Sequence, residues 1–188
     1  TVGGNISGTS DLAPLDQQAD MLLELLPEAQ NVGILYCSAE ANSVYQADVV
    51  KAALEEKGVT VTVYTFADSN DVATVTQTAC AENDALYIPT DNTAASCTEA
   101  INNVAEPAGV PIVAGEEGIC KGCGIATLSI DYYELGKTTG AMAAKILTGE
   151  ANVSEMPIEY YQNPVKKYDV ARCEALGITV PADYVAIG

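Results

Sequence analysis

Ala85-Leu86-Tyr87-Ile88-Pro89-Thr90-Asp91-Asn92 decides the fold. Its first four residues are an unbroken apolar run, the mark of a strand buried on both faces of a sheet. Pro89 stops the run, and Thr90, Asp91 and Asn92 turn polar at its carboxyl end. Upstream, Val32-Gly33-Ile34-Leu35-Tyr36 repeats the pattern, and Val59 to Phe66 alternates Val with Thr before an aromatic end. Downstream, Pro111-Ile112-Val113-Ala114 and Ile125 to Ile130 read as two more strands.

Helical stretches separate these strands. Pro14 opens one, with Leu15, Met21, Leu22, Leu25 and Leu26 on one face and Pro27 behind it. A missing N–H costs nothing in a first helical turn. The spacing predicts a second helix from Ser43, carrying Val44, Ala47, Val50 and Leu54 on one stripe and ending at Gly58. Others are expected over 70–80, 92–108 and 131–147, the last ending before Gly149. Ser43 with Gln46, and Asp131 with Glu134, have the spacing of a capping box. Short strands are expected at 5–9 and 158–161, and a short helix at 168–176. Strand–helix alternation at this spacing predicts an α/β fold of βαβ units: a parallel sheet flanked by helices.

Composition removes several functions. Eight Lys+Arg stand against 26 Asp+Glu, a net charge of −18, which repels nucleic-acid phosphates. The chain has no His, so a Ser-His-Asp triad or a His-bearing zinc site cannot be built. No apolar run reaches the roughly 20 residues of a membrane span. The opening Thr1-Val2-Gly3-Gly4-Asn5 shows no signal peptide and no lipid-attachment Cys, and reads as a piece from which targeting information is absent. Cys120-Lys121-Gly122-Cys123 is a lone CxxC with no second pair for zinc, placed before an expected strand rather than at a helix start. Ordinary thiols or a structural disulfide account for it better than redox or metal chemistry.

Ligands of open parallel sheets bind beyond the carboxyl ends of the strands. The loops there hold Glu40, Asp91, Glu116 and Glu117 among Asn, Ser, Thr and Tyr. Carboxylates with hydroxyls and amides suit an ammonium group. Ser43 and Asn92 stand at expected helix starts, where N–H groups can take an anion. A zwitterion such as an amino acid satisfies both. Against this, Ser43 and Asp131 read first as caps, Glu40 and Glu117 as solvated charges, and Asp68 and Ser69 as turn residues. Asp91 is the strongest candidate, directly at a buried strand end. Tyr132 and Tyr133 read as core, with one at the rim by alternation.

Gly8-Thr9-Ser10-Asp11, Glu40-Ala41-Asn42-Ser43, Tyr87 to Asn92, Ala114-Gly115-Glu116-Glu117-Gly118 and Ile130 to Gly136 occur in that order. The series resembles the ABC-transporter substrate-binding protein family whose described members include tryptophan- and phenylalanine-binding lipoproteins. The resemblance implies a type I periplasmic-binding-protein-like, three-layer αβα lobe with the first lobe largely missing. Residues 1–155 would be the second, ligand-binding lobe, with a hinge strand near 5–11. Residues 156–188 would be the return crossover and a C-terminal segment of the first lobe. It also implies an extracytoplasmic solute-binding component of an ABC importer, anchored as a lipoprotein at full length. The ligand would be an amino acid, aromatic ones included, or a similar small zwitterion held in a cleft between two lobes. The site would comprise Asp11, Glu40, Asn42, Ser43, Thr90, Asp91, Asn92 and Glu116, with Asp91 or Glu116 on the ammonium. No cofactor, metal or catalytic residue is implied. The partners would be a membrane permease and the missing first lobe or a dimer mate, and no nucleic acid. Two rivals share the fold: an amino-acid racemase using strand-end cysteines such as Cys37 and Cys97, and a ligand-sensing domain of a receptor or transcription regulator.

Overall fold

A computed structural model describes residues 3–187, which fall into two compact units. The larger comprises 14–129 and 165–187, the smaller 3–13 and 130–164.

The larger unit is built on a seven-stranded sheet. Its strands are β2 (Asn31–Cys37), β3 (Thr60–Phe66), β4 (Ala85–Ile88), β5 (Ile112–Ala114), β6 (Ala126–Ser129), β8 (Val165–Tyr168) and β9 (Val185–Ala186). Their order is β3-β2-β4-β5-β6-β8-β9, and the first five are mutually parallel. The central strands are buried on both faces: β4 and β5 are unbroken apolar runs, and β6 buries Thr127 and Ser129 along with Ala126 and Leu128. β3, at the edge, is only partly buried, with Val61, Tyr64 and Phe66 inside. Side chains therefore divide by parity. Leu86, Ile88, Ile112 and Ala114 enter a core with α3 (Val72–Glu82), α5 (Thr98–Ala108) and α6 (Glu117–Cys123). Tyr87 points the other way and donates its hydroxyl to Gln18 of α1 (Leu15–Leu25), which packs with α2 (Ala41–Glu56). The result is the expected parallel sheet between two helical layers.

Several details depart from the sequence reading. Residues 92–108 form two helices, α4 (Asn92–Ser96) and α5, which meet at Cys97. The CxxC lies inside a helix, α6, whose seven residues include two glycines that hide its propensity. Gly122 is required there, because a Cβ would sit 2.3 Å from the side chain of Thr98 on α5. All six cysteines are free thiols. Residues 165–168 form β8, antiparallel to β6, where a helix was expected to begin at 168; α8 spans only Val170–Ala175. This pairing and that of β9 place 165–168 and 185–186 in the larger unit's sheet. The two compact units divide at 13/14, 129/130 and 164/165.

In the smaller unit, β1 (Thr9–Ser10) pairs in parallel with β7 (Glu159–Tyr160). A 16-residue helix, α7 (Tyr132–Leu147), follows the Asp131 cap, and Leu135 and Met142 are its buried residues. Asp131 accepts from the N–H groups of Tyr133 and Glu134, but Glu134 turns outward to Lys137. The capping box is thus half formed. Tyr132 and Tyr133 are both exposed, against the expectation of core positions with one at the rim.

Candidate functional site

The carboxyl ends of β2, β4 and β5 carry most of the expected site residues, and the structure shows how each is held. Asp91 is 1% exposed. One of its oxygens accepts from Cys37 N–H at 2.9 Å and Ser43 Oγ at 2.7 Å, and the other from Ala94 N–H at 2.7 Å. It therefore ties the end of β2 and the first turn of α2 to the start of α4. Ser43 is fully buried and is the third residue of α2, which begins two residues earlier than expected. Its hydroxyl serves Asp91, so the Ser43–Gln46 capping box does not form.

Glu40 reaches across to the same short helix. Its carboxylate accepts from Asn92 N–H (2.9 Å) and Nδ2 (3.1 Å), and from Thr93 N–H and Oγ1 (both 2.8 Å). Partial burial works to raise its pKa, but these donors outweigh that effect and hold the carboxyl below the usual range. The first three N–H groups of α4 are thus taken by Glu40 and Asp91. The sequence reading left those N–H groups free for an anionic ligand at Asn92; two carboxylates in one corner use them. Glu116 repeats the device on α6, accepting from the N–H groups of Gly118 and Ile119.

Thr90 sits between these corners. Its carbonyl accepts from Asn42 Nδ2 at 2.9 Å and Gln46 Nε2 at 3.1 Å, and its N–H donates to Gln46 Oε1 at 3.1 Å. Its hydroxyl donates to the carbonyl of Gly115 at 3.3 Å. Gly115 must be glycine: a Cβ would lie 2.5 Å from Thr90 N and 2.7 Å from the Pro89 carbonyl carbon. Two further residues of this network escaped the sequence reading in their present role. The spacing of Gln46 from Ser43 suggests half of a cap, and no motif in the local sequence marks Gln18. Both are buried polar residues on otherwise apolar helix faces, which is the signal that could have marked them.

Glu117 is no free surface charge. It pairs with Lys167 of β8 at 2.6 Å and Lys121 at 3.0 Å, and accepts from Ser129 Oγ. Lys167 foremost holds its pKa down to about 2. Asp11 lies in the smaller unit, where it accepts from the hydroxyl of Tyr132 at 3.4 Å. Cys37 is buried at the end of β2, its Sγ directed at the carbonyl of Ala67. A cavity of about 470 Å³ lies at the amino ends of β5 and β6, lined by Ile112, Ile125, Cys123 and Arg172, away from this rim.

The chain belongs to the ABC transporter substrate binding protein family, which it matches over residues 1–186. It is 32% identical over 156 residues to a tyrosine-binding protein of Clostridioides difficile, covering 83% of this chain and 45% of that one. It superposes on an ABC domain from Streptococcus pneumonia in complex with L-Trp with a TM-score of 0.87 at 30% identity, covering 96% of this chain and 61% of that one. A ligand-free, open substrate binding protein with adhesive properties from Clostridium difficile matches at 0.80 and 33%, covering 99% and 64%. The fold is that of periplasmic-binding-protein-like domains. The chain spans less than half the length of the curated relative and less than two thirds of each of these solved chains. Proteins of this family act outside the cytoplasm, and no helix among the described residues is long and apolar enough to cross a membrane.

Proposed function

We propose that this chain forms part of the amino-acid receptor of an ABC importer, and that it binds an aromatic amino acid at the rim described above. The supporting observation is the rim itself. Its polar groups are fixed by backbone bonds, and they leave specific acceptors outward. Asn42 and Asn92 are exposed residues that commit Nδ2, to Thr90 O and to Glu40, so Oδ1 is the amide atom each can offer a ligand. These amide oxygens, with the residual lone pairs of Glu40 and Glu116, are the acceptors for a ligand ammonium. Asp91 and Ser43 act behind them as a buried brace, and Thr90 through its peptide. The role is binding and delivery to a membrane permease, without catalysis. A lipid anchor would belong to the full-length protein.

The smaller unit fits a share of a second lobe. A two-stranded sheet with one long, mostly exposed helix is too little to be stable alone. The remaining length of the relatives would complete it. A ligand touching both lobes then favours a closed form, and one lobe alone binds weakly.

Calorimetry tests the reading. The family-length protein should bind L-tyrosine, L-tryptophan or L-phenylalanine with micromolar or tighter affinity, and the 188-residue chain should bind far more weakly. Absence of binding to every amino acid by the family-length protein overturns the proposal.

A further inference from the structure

Gln46 is 3% exposed and lies where α2 packs on the sheet, a position an aliphatic residue would fill at lower cost. Its amide is committed to one peptide. Oε1 accepts the N–H of Thr90, and Nε2 donates to the carbonyl of Thr90, each at 3.1 Å. The side chain thereby pairs with Thr90 as a neighbouring strand would, just where β4 leaves the sheet. Nε2 also donates to the carbonyl of Asn42 at 3.1 Å, which fixes the first turn of α2. On the far side of Thr90, its Oγ1 and the Nε2 of Gln18 both donate to the carbonyl of Gly115. The hydroxyl of buried Tyr87 donates to Gln18 Oε1. Two buried glutamines, one from α1 and one from α2, thus grip the two loops that carry Asp91, Asn92 and Glu116.

We propose that Gln46 is a positioning residue of the ligand site: it holds the Thr90 peptide, and with it the Asn42–Asn92 acceptor pair, in binding-ready geometry before any ligand arrives. This rests on the function proposed above. A loop ordered in advance spares the ligand the entropy of ordering it, so the hold of Gln46 is read as affinity. Asn42 shares the arrangement, because its Nδ2 bonds the same carbonyl and that bond orients its amide.

Two substitutions test it. Gln46→Met keeps the volume and removes all three bonds. Gln46→Glu keeps the acceptor for Thr90 N–H but sets a carboxylate oxygen against the carbonyls of Thr90 and Asn42. Protonation restores a donor there. In the ligand-free wild type, the Thr90 amide should exchange slowly with solvent, and Gln46→Met should speed it at least about tenfold. L-tyrosine affinity should fall about tenfold in Gln46→Met, equivalent to one decade in Kd. In Gln46→Glu, affinity should recover as pH is lowered from about 8 to about 5, a recovery the wild type lacks. The proposal is overturned if the wild-type Thr90 amide exchanges like an open loop. It is equally overturned if Gln46→Met binds as wild type, or if Gln46→Glu loses affinity without recovery at low pH. If Gln46→Met does not fold, Gln46→Glu decides alone. Should the wild type bind no amino acid, the functional reading fails, while exchange at Thr90 still decides whether Gln46 holds the rim.

Discussion

Asp91 and Asp131 perform the same local task in very different surroundings. Each caps a helix, α4 or α7, by accepting backbone N–H groups of its first turn. Asp131 is exposed, and its two N–H partners could turn to water instead. Asp91 is buried, and its partners Cys37 N–H, Ser43 Oγ and Ala94 N–H have no water to turn to. The same side chain in the same cap is a modest local preference in one case and the joint of three elements in the other. Burial, and not the motif, sets the energy.

Substitution measures that difference directly. Asp91→Ala leaves three buried polar groups without an acceptor and should cost about 3 kcal/mol in urea unfolding. A cost near that of a surface cap would break the comparison. Asp131→Ala should cost about 1 kcal/mol, the ordinary loss of an exposed helix cap.

Glu117 sharpens the contrast, because its partners are cations. With a folded pKa of about 2, below the ordinary 4.5, its contribution is complete above about pH 4.5 and is lost as pH falls toward 2. The carboxylate is about a quarter exposed, so screening limits the contribution to about 1 kcal/mol. Glu117→Gln should therefore lower the melting temperature at neutral pH, and its gap to wild type should close on acidification. A gap independent of pH would sink the assignment.

The strands of the parallel core were legible in the sequence because burial on both faces leaves an unbroken apolar run, as at 85–88 and 32–36. What failed to show had no such signature. β8 reads Val-Lys-Lys-Tyr, and its lysines are placed by ion pairs. α6 carries two glycines, one forced by the close approach of α5. In the site, the choice of residues was readable while their duties were not. Glu40, Asp91 and Glu116 stand out as carboxylates at strand ends, but the N–H groups that engage them become visible only when α4 and α6 are placed. The buried roles of Gln18 and Gln46 were hidden for the same reason, since the loop carbonyls they hold, of Gly115 and Thr90, lie 97 and 44 residues along the chain.

The two lysines of β8 also govern how the strand is read into the sheet. Lys166 meets Glu24 and Asp183 on one face, and Lys167 meets Glu117 on the other. Sliding β8 by one residue would send each ammonium to the opposite face and break all three contacts at once. The frame of this antiparallel strand is therefore proofread by charge, where the parallel strands beside it are proofread by oil. Acid or concentrated salt should erode that proofreading first at β8, while the apolar core still keeps its own frame.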